Sequence, residues 1–221
     1  MPGFGSFDPQ SFIAVIVTFV VAITVHEFMH AWTAWMLGDD TARMLGRISL
    51  NPAAHFDPVG AMMFVLIALG FPGIAWGKPV PVNDFRLRPL GRFGRHGSMA
   101  LVSLAGPLSN VVLGAISATI LRVADASNLS LGAFSQFLWI FTVVNFGLAA
   151  FNMIPLPPLD GSRILTAVLP SFWRPILAPL ERYGIPILLL LLLLGGGIGA
   201  SIIASIADPV RDLLMKVFVG S

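Results

Sequence analysis

Five stretches of the chain run without a charged residue: 11–25, 58–76, 98–121, 132–156 and 184–207. Polar and charged positions gather between them. A helix rises 1.5 Å per residue, so about 20 apolar residues cross the roughly 30 Å hydrocarbon core of a bilayer. The pattern predicts an all-α transmembrane fold with a three-helix core at 11–37, 98–122 and 132–156. Ser11 is the expected N-cap of the first helix and Gly38 its stop. The 58–76 stretch differs, because Gly70, Pro72 and Gly73 interrupt it and the run before Gly70 is too short to cross. It is expected to dip in and return as a re-entrant segment. Poly-Leu over 188–194, followed by Gly-Gly-Gly-Ile-Gly, predicts an additional C-terminal membrane helix at about 184–207 with a flexible Gly-rich middle.

Composition supports the same class. Of 221 residues, 56% are hydrophobic and 11% charged, against about 25% charged in a soluble domain. The net charge of +2 says little, but its distribution does. No Lys or Arg precedes Arg43, whereas Lys78, Arg86, Arg88, Arg92 and Arg95 crowd one linker. Cations clustered near membrane spans stay cytoplasmic, so this is a topology signal and no nucleic-acid partner is expected. The first residues, MPGFGSFDPQ, lack the basic region of a signal peptide, and the first apolar run is expected to be retained. Cysteine is absent, which excludes disulfides and thiolate metal sites. Without a repeat or a long polar stretch, residues 1–221 read as a single membrane-embedded domain, its core spanning about 11–165.

The chemistry sits inside the first apolar helix, in TVHEFMHAW (24–32). His26 and His30 lie one turn apart on one face, where both imidazoles can bind a single Zn²⁺. Glu27 lies about 100° round the helix from His26, near a metal but poorly placed to ligate it. It can instead take a proton from water. The bland alternative is a polar cluster satisfied within a helical bundle. Composition argues against it: the chain has four His and two Glu, and three of these six fall within five residues. Ionisable groups inside a membrane are costly and functional by default.

Catalytic zinc usually takes three protein ligands and keeps a fourth position for water. With no cysteine, the third must be His, Asp or Glu, and the best candidate is Asp160 in NMIPLPPLDGSR (152–163). Pro155, Pro157 and Pro158 prevent an ordinary helix there. Irregular backbone at membrane depth is tolerated only where protein or water surrounds it, so the segment reads as the wall of an aqueous pocket.

These two motifs, in order and both in membrane segments, resemble the site-2 proteases, intramembrane zinc metalloproteases. The similarity continues through NPAAHFDPVG (51–60), WGKPVPVN (76–83) and AGPLSN (105–110), and is closest to the compact branch without inserted PDZ or appended CBS domains. The resemblance implies that His26, His30 and Asp160 hold one Zn²⁺ and that Glu27 is the catalytic base. It also matches Asn152 to an asparagine that contacts the substrate or its developing oxyanion. The implied reaction is hydrolysis of peptide bonds within or near transmembrane helices, in regulated intramembrane proteolysis. The implied substrates are single-pass membrane proteins or signal-peptide remnants, met among membrane lipids in the cell membrane, with the active site toward the cytoplasm.

Other polar residues stay open between roles. Asn145, seven before Asn152, is either a second amide donor or interhelical glue. Asn110 is expected to bond to a neighbouring helix and Gly106 to permit close approach. His55 either lines the pocket, gates it, adds a metal contact or bonds nearby backbone, while His96 beside the arginines is expected to be solvated. A transporter for zinc or protons is the rival class. Transporters usually carry internal repeats, and none is found here.

Overall fold

The computed structural model describes residues 8–69, 75–169, 171–173 and 198–220, with isolated positions between 177 and 190. Every regular element among them is helical. Among the described residues, three helices are long and apolar enough to cross a membrane: α1 (Pro9–Met36), α4 (Gly94–Ala126) and α5 (Ala133–Asn152). They correspond to the expected core and pack on one another. Between α1 and α4 come α2 (Thr41–Met44) and α3 (Pro58–Ala68), and after α5 come α6 (Asp160–Val168) and α7 (Ile198–Phe218).

The helix ends differ from the expected ones for local reasons. Asp8, not Ser11, caps α1: its carboxylate accepts from Gln10 N and Ser11 N, and Pro9 occupies the first turn. Helix α4 is 33 residues, about 50 Å, because it continues out of the apolar stretch at both ends, through Arg95 and His96 and through Val123 to Ala126. Helix α5 stops at Asn152, since Pro155 disfavours helical geometry at Ile154 before it.

Small residues let α4 approach α5 closely. A Cβ on Gly114 would lie 2.5 Å from Phe146 Cε1, and Phe146 is fully buried. One turn nearer the start of α5, Ser117 Oγ and Thr142 Oγ1 share a 2.8 Å hydrogen bond. Without competing water, such packing and hydroxyl pairs join helices in lipid.

At 11 residues, α3 is about 16 Å long and cannot cross the bilayer. The chain returns to where it left: Lys78 N donates to the His55 carbonyl at 2.9 Å. Gly60 lies so close to the Trp76 backbone that a Cβ would not fit. Both limbs of the predicted dip therefore meet at its base, while the interrupted stretch 70–74 lies outside the described residues. Buried Asp39 fastens the returning limb to the end of α1, accepting from Thr41 N at 3.0 Å and Asn83 N at 2.7 Å. The Gly-rich middle of the predicted 184–207 helix, 191–197, also lies outside the described residues. The described part, α7, packs on α5 and continues beyond 207 through Asp208, Arg211 and Asp212, with Arg211 paired to both acids.

Candidate metal centre

Helix α1 carries His26 and His30 ten and six residues before its end at Met36, about 15 and 9 Å along the axis. Both are buried, as is Glu27. Asp160 reaches them from the first position of α6. The proline-rich loop folds back tightly to place it: a Cβ on Gly161 would lie 2.5 Å from the Met153 carbonyl carbon and 2.6 Å from Ile154 O. Only glycine follows Asp160 without pushing that loop away.

The three ligand atoms form a nearly equilateral triangle. His26 Nε2 and His30 Nε2 are 3.0 Å apart, and Asp160 Oδ2 lies 3.1 and 3.2 Å from them. The two rings meet at 87°. His30 Nδ1 lies 2.7 Å from the Val102 carbonyl, which can only accept. His30 therefore carries a proton on Nδ1, and in its neutral form turns a lone pair at Nε2 into the triangle. His26 Nδ1 lies 2.7 Å from Asn110 Oδ1 on α4. With both imidazoles neutral, two lone pairs and a carboxylate oxygen converge, an arrangement that a cation between them satisfies. Two imidazoles and one carboxylate are the donor set of catalytic zinc sites, so the residues fit the metal.

Helix α4 makes room for this cluster at Gly106, where a Cβ would lie 2.5 Å from His30 Cε1 and 2.7 Å from His26 Cε1. The returning limb of the dip lies over Glu27, with Gly77 against Glu27 Cγ and Ile23. Arg47 holds this limb by donating to the Lys78 carbonyl. Burial pulls the Arg47 pKa down, and the charge of Glu27 opposes that pull, so a buried cation sits within electrostatic reach of Glu27.

The remaining candidates fall as follows. Asn152 is half-buried at the end of α5 and donates to the Leu148 carbonyl of its own helix. Asn145 is fully buried and accepts from Asn110 Nδ2, which bridges α4 and α5. His55 is buried in its loop with Nε2 bonded to the Ser49 carbonyl, apart from the metal triangle. His96 is exposed.

The chain matches Peptidase family M50 over residues 118–195. It is 36% identical over 211 residues to "Putative zinc metalloprotease YwhC" of Bacillus subtilis (strain 168), covering 92% of this chain and 90% of that protein. The chain belongs to peptidase family M50, the site-2 proteases. A second relative, "Putative zinc metalloprotease Rip2" of Mycolicibacterium smegmatis, is 31% identical over 82% of this chain and 67% of its own length. "Zinc metalloprotease MJ0392" of Methanocaldococcus jannaschii is 27% identical over 57% of this chain and 38% of its own length. No solved structure matches significantly. M50 membership favours a metalloprotease over the transporter alternative, and the apolar helices fit a membrane protein.

Gly106 permits close approach and Asn110 bonds to neighbouring helices, as the sequence suggested; that both contacts, with the Val102 carbonyl, meet the metal-centre histidines was not read from it. The signal was present: Val102, Gly106 and Asn110 recur every four residues, the spacing that placed His26 and His30 on one face.

Proposed function

We propose that this M50 protein is an intramembrane zinc metalloprotease that hydrolyses peptide bonds within or near the transmembrane helices of membrane-tethered substrates. The observation that carries the reading is the His26–His30–Asp160 triangle within a helix of membrane-spanning length, with Glu27 one residue from His26. His26, His30 and Asp160 hold one Zn²⁺ per chain. A zinc ion bound there supplies Lewis-acid polarisation of the scissile carbonyl and makes water a nucleophile near neutral pH. Glu27 takes the proton from the attacking water and delivers it to the leaving amine. Asn152 gives one amide N–H to Leu148 and keeps a second, which donates to the substrate or its oxyanion. A helix shields its own carbonyls, so a single-pass substrate or signal-peptide remnant unwinds locally before the attack.

Purified protein is expected to contain about one zinc per chain and to cleave a membrane-tethered model helix. Asp160→Ala should lower zinc affinity, measured by competition with a chelator, by more than the about 10–100-fold typical of losing an outer hydrogen-bond partner, with cleavage falling alongside it. Full zinc retention in that variant would remove Asp160 from the ligand set.

The proposed orientation places the Arg-rich linker and the active-site end of α1 in the cytoplasm. Helix α4 then carries the chain from that linker to the outer side near Asn128. The chain is naturally free of Cys, so single-Cys variants report topology directly. Position 128 should react with an impermeant reagent from outside, and positions 88 and 92 should not. Labelling at 88 or 92 overturns this orientation.

A further inference from the structure

We infer that Asn110 is a positioning residue for the metal centre, holding the His26 proton on Nδ1 through a directional amide relay that starts from backbone carbonyls. The inference rests on the metalloprotease reading above. A side-chain amide can be turned end for end, and an imidazole can carry its proton on either nitrogen. Backbone carbonyls remove both freedoms here. Asn145 Nδ2 lies 2.8 Å from the Phe141 carbonyl, so Asn145 presents its oxygen to α4. Asn110 Nδ2 lies 3.0 Å from that oxygen and 3.1 Å from the Ala22 carbonyl. Both neighbours accept, and both amide protons of Asn110 are used.

Asn110 Oδ1 is thereby turned to His26 Nδ1 at 2.7 Å, where only an N–H can face it. Reversing the amide would set its oxygen against two other oxygens, one a backbone carbonyl of α1. Both asparagines are fully buried, so no water competes for these groups. In the neutral ring this leaves an Nε2 lone pair on His26 directed into the triangle, matching the arrangement that the Val102 carbonyl favours in neutral His30. One stripe of α4 thus serves the site three times: a carbonyl at Val102, space at Gly106 and an amide at Asn110. Partners of this kind fix a ligand's tautomer and orientation.

The test compares three variants with wild type by zinc affinity under chelator competition and by the visible ligand-field band of the Co²⁺-substituted protein. Asn110→Leu removes donor and acceptor and should lower affinity about 10–100-fold with a shifted band. Asn110→Asp keeps an acceptor for His26 but turns a second oxygen toward Asn145 Oδ1 and the Ala22 carbonyl, so it should lose some affinity yet less than the about 10–100-fold of Asn110→Leu, with a band nearer wild type. Ser117→Ala breaks the hydroxyl bond elsewhere on the α4–α5 interface and should change neither. Asn110 would be interhelical glue alone if Asn110→Asp lost metal as fully as Asn110→Leu, or if Ser117→Ala lost as much. An unchanged affinity and band in Asn110→Leu would also overturn the inference. Where Asn110→Leu does not fold, Asn110→Asp and Ser117→Ala decide between the same roles. Wild-type protein without zinc would sink the metalloprotease reading itself, a result distinct from all of these.

Discussion

Glu27→Gln is expected to lower cleavage by about 10²–10⁴-fold, the range typical of a lost general base or acid, while zinc stays near one per chain. Glutamine preserves the size of the side chain but cannot accept a proton from water. The metal triangle consists of atoms from His26, His30 and Asp160 only, so the substitution removes none of the ligands. Packing should also survive, because Glu27 Cγ lies against Gly77 and Gln keeps that methylene. Elemental analysis beside a cleavage assay separates the two effects. If Glu27→Gln lost as much zinc as His26→Ala, Glu27 would be a ligand instead of a base.

Gly106→Ala carries the second large expectation: zinc affinity should fall at least tenfold and cleavage with it. In an ordinary helix interior this exchange stabilises by roughly 0.5–1 kcal/mol, because glycine is the poorer helix former. Here the new methyl would land 2.5 Å from His30 Cε1 and 2.7 Å from His26 Cε1. Neither ring can retreat freely, since each has its Nδ1 bonded to α4 at 2.7 Å. The rings must turn or α4 must back away, and either movement opens the triangle. The prediction is therefore a protein that stays folded, as judged by thermal unfolding without metal, yet loses to a chelator that wild type withstands. Wild-type affinity in Gly106→Ala would mean that the spacing between α1 and α4 is not what holds the rings.

The sequence exposed those parts of the fold and site that depend on periodicity. Three apolar helices and the His26–His30 pair follow from repeats of four residues and runs near 20. Asp160 was legible because cysteine is absent and the prolines break the helix before it. The short α3 and the return of the chain beside it were legible from glycine and proline inside an apolar run too short to cross. Hidden were the helix limits, where one carboxylate at Asp8 moves a start and one proline at 155 moves an end. Also hidden was the orientation of the ligand rings. That depends on a carbonyl at Val102 and an amide at Asn110, 72 and 84 residues from the histidines they meet. Backbone carbonyls carry no residue-specific signature, so no motif announces the first of these contacts. The second is an asparagine whose partner emerges only once α1 and α4 are side by side.

The hydrogen bond from Lys78 N to the His55 carbonyl has a consequence for chain entropy. It closes segment 56–77 at its base, where Arg47 also grips the returning limb. Closing a loop costs free energy that grows only with the logarithm of its length, about 0.6 kcal/mol for each doubling. Residues added beyond α3 would therefore burden folding little, and removing a few would gain little. The register of α1 against α4 and α5, which fixes the histidines, does not depend on how far the loop extends. The dip is the part of this architecture that can change length while the chemistry stays in place.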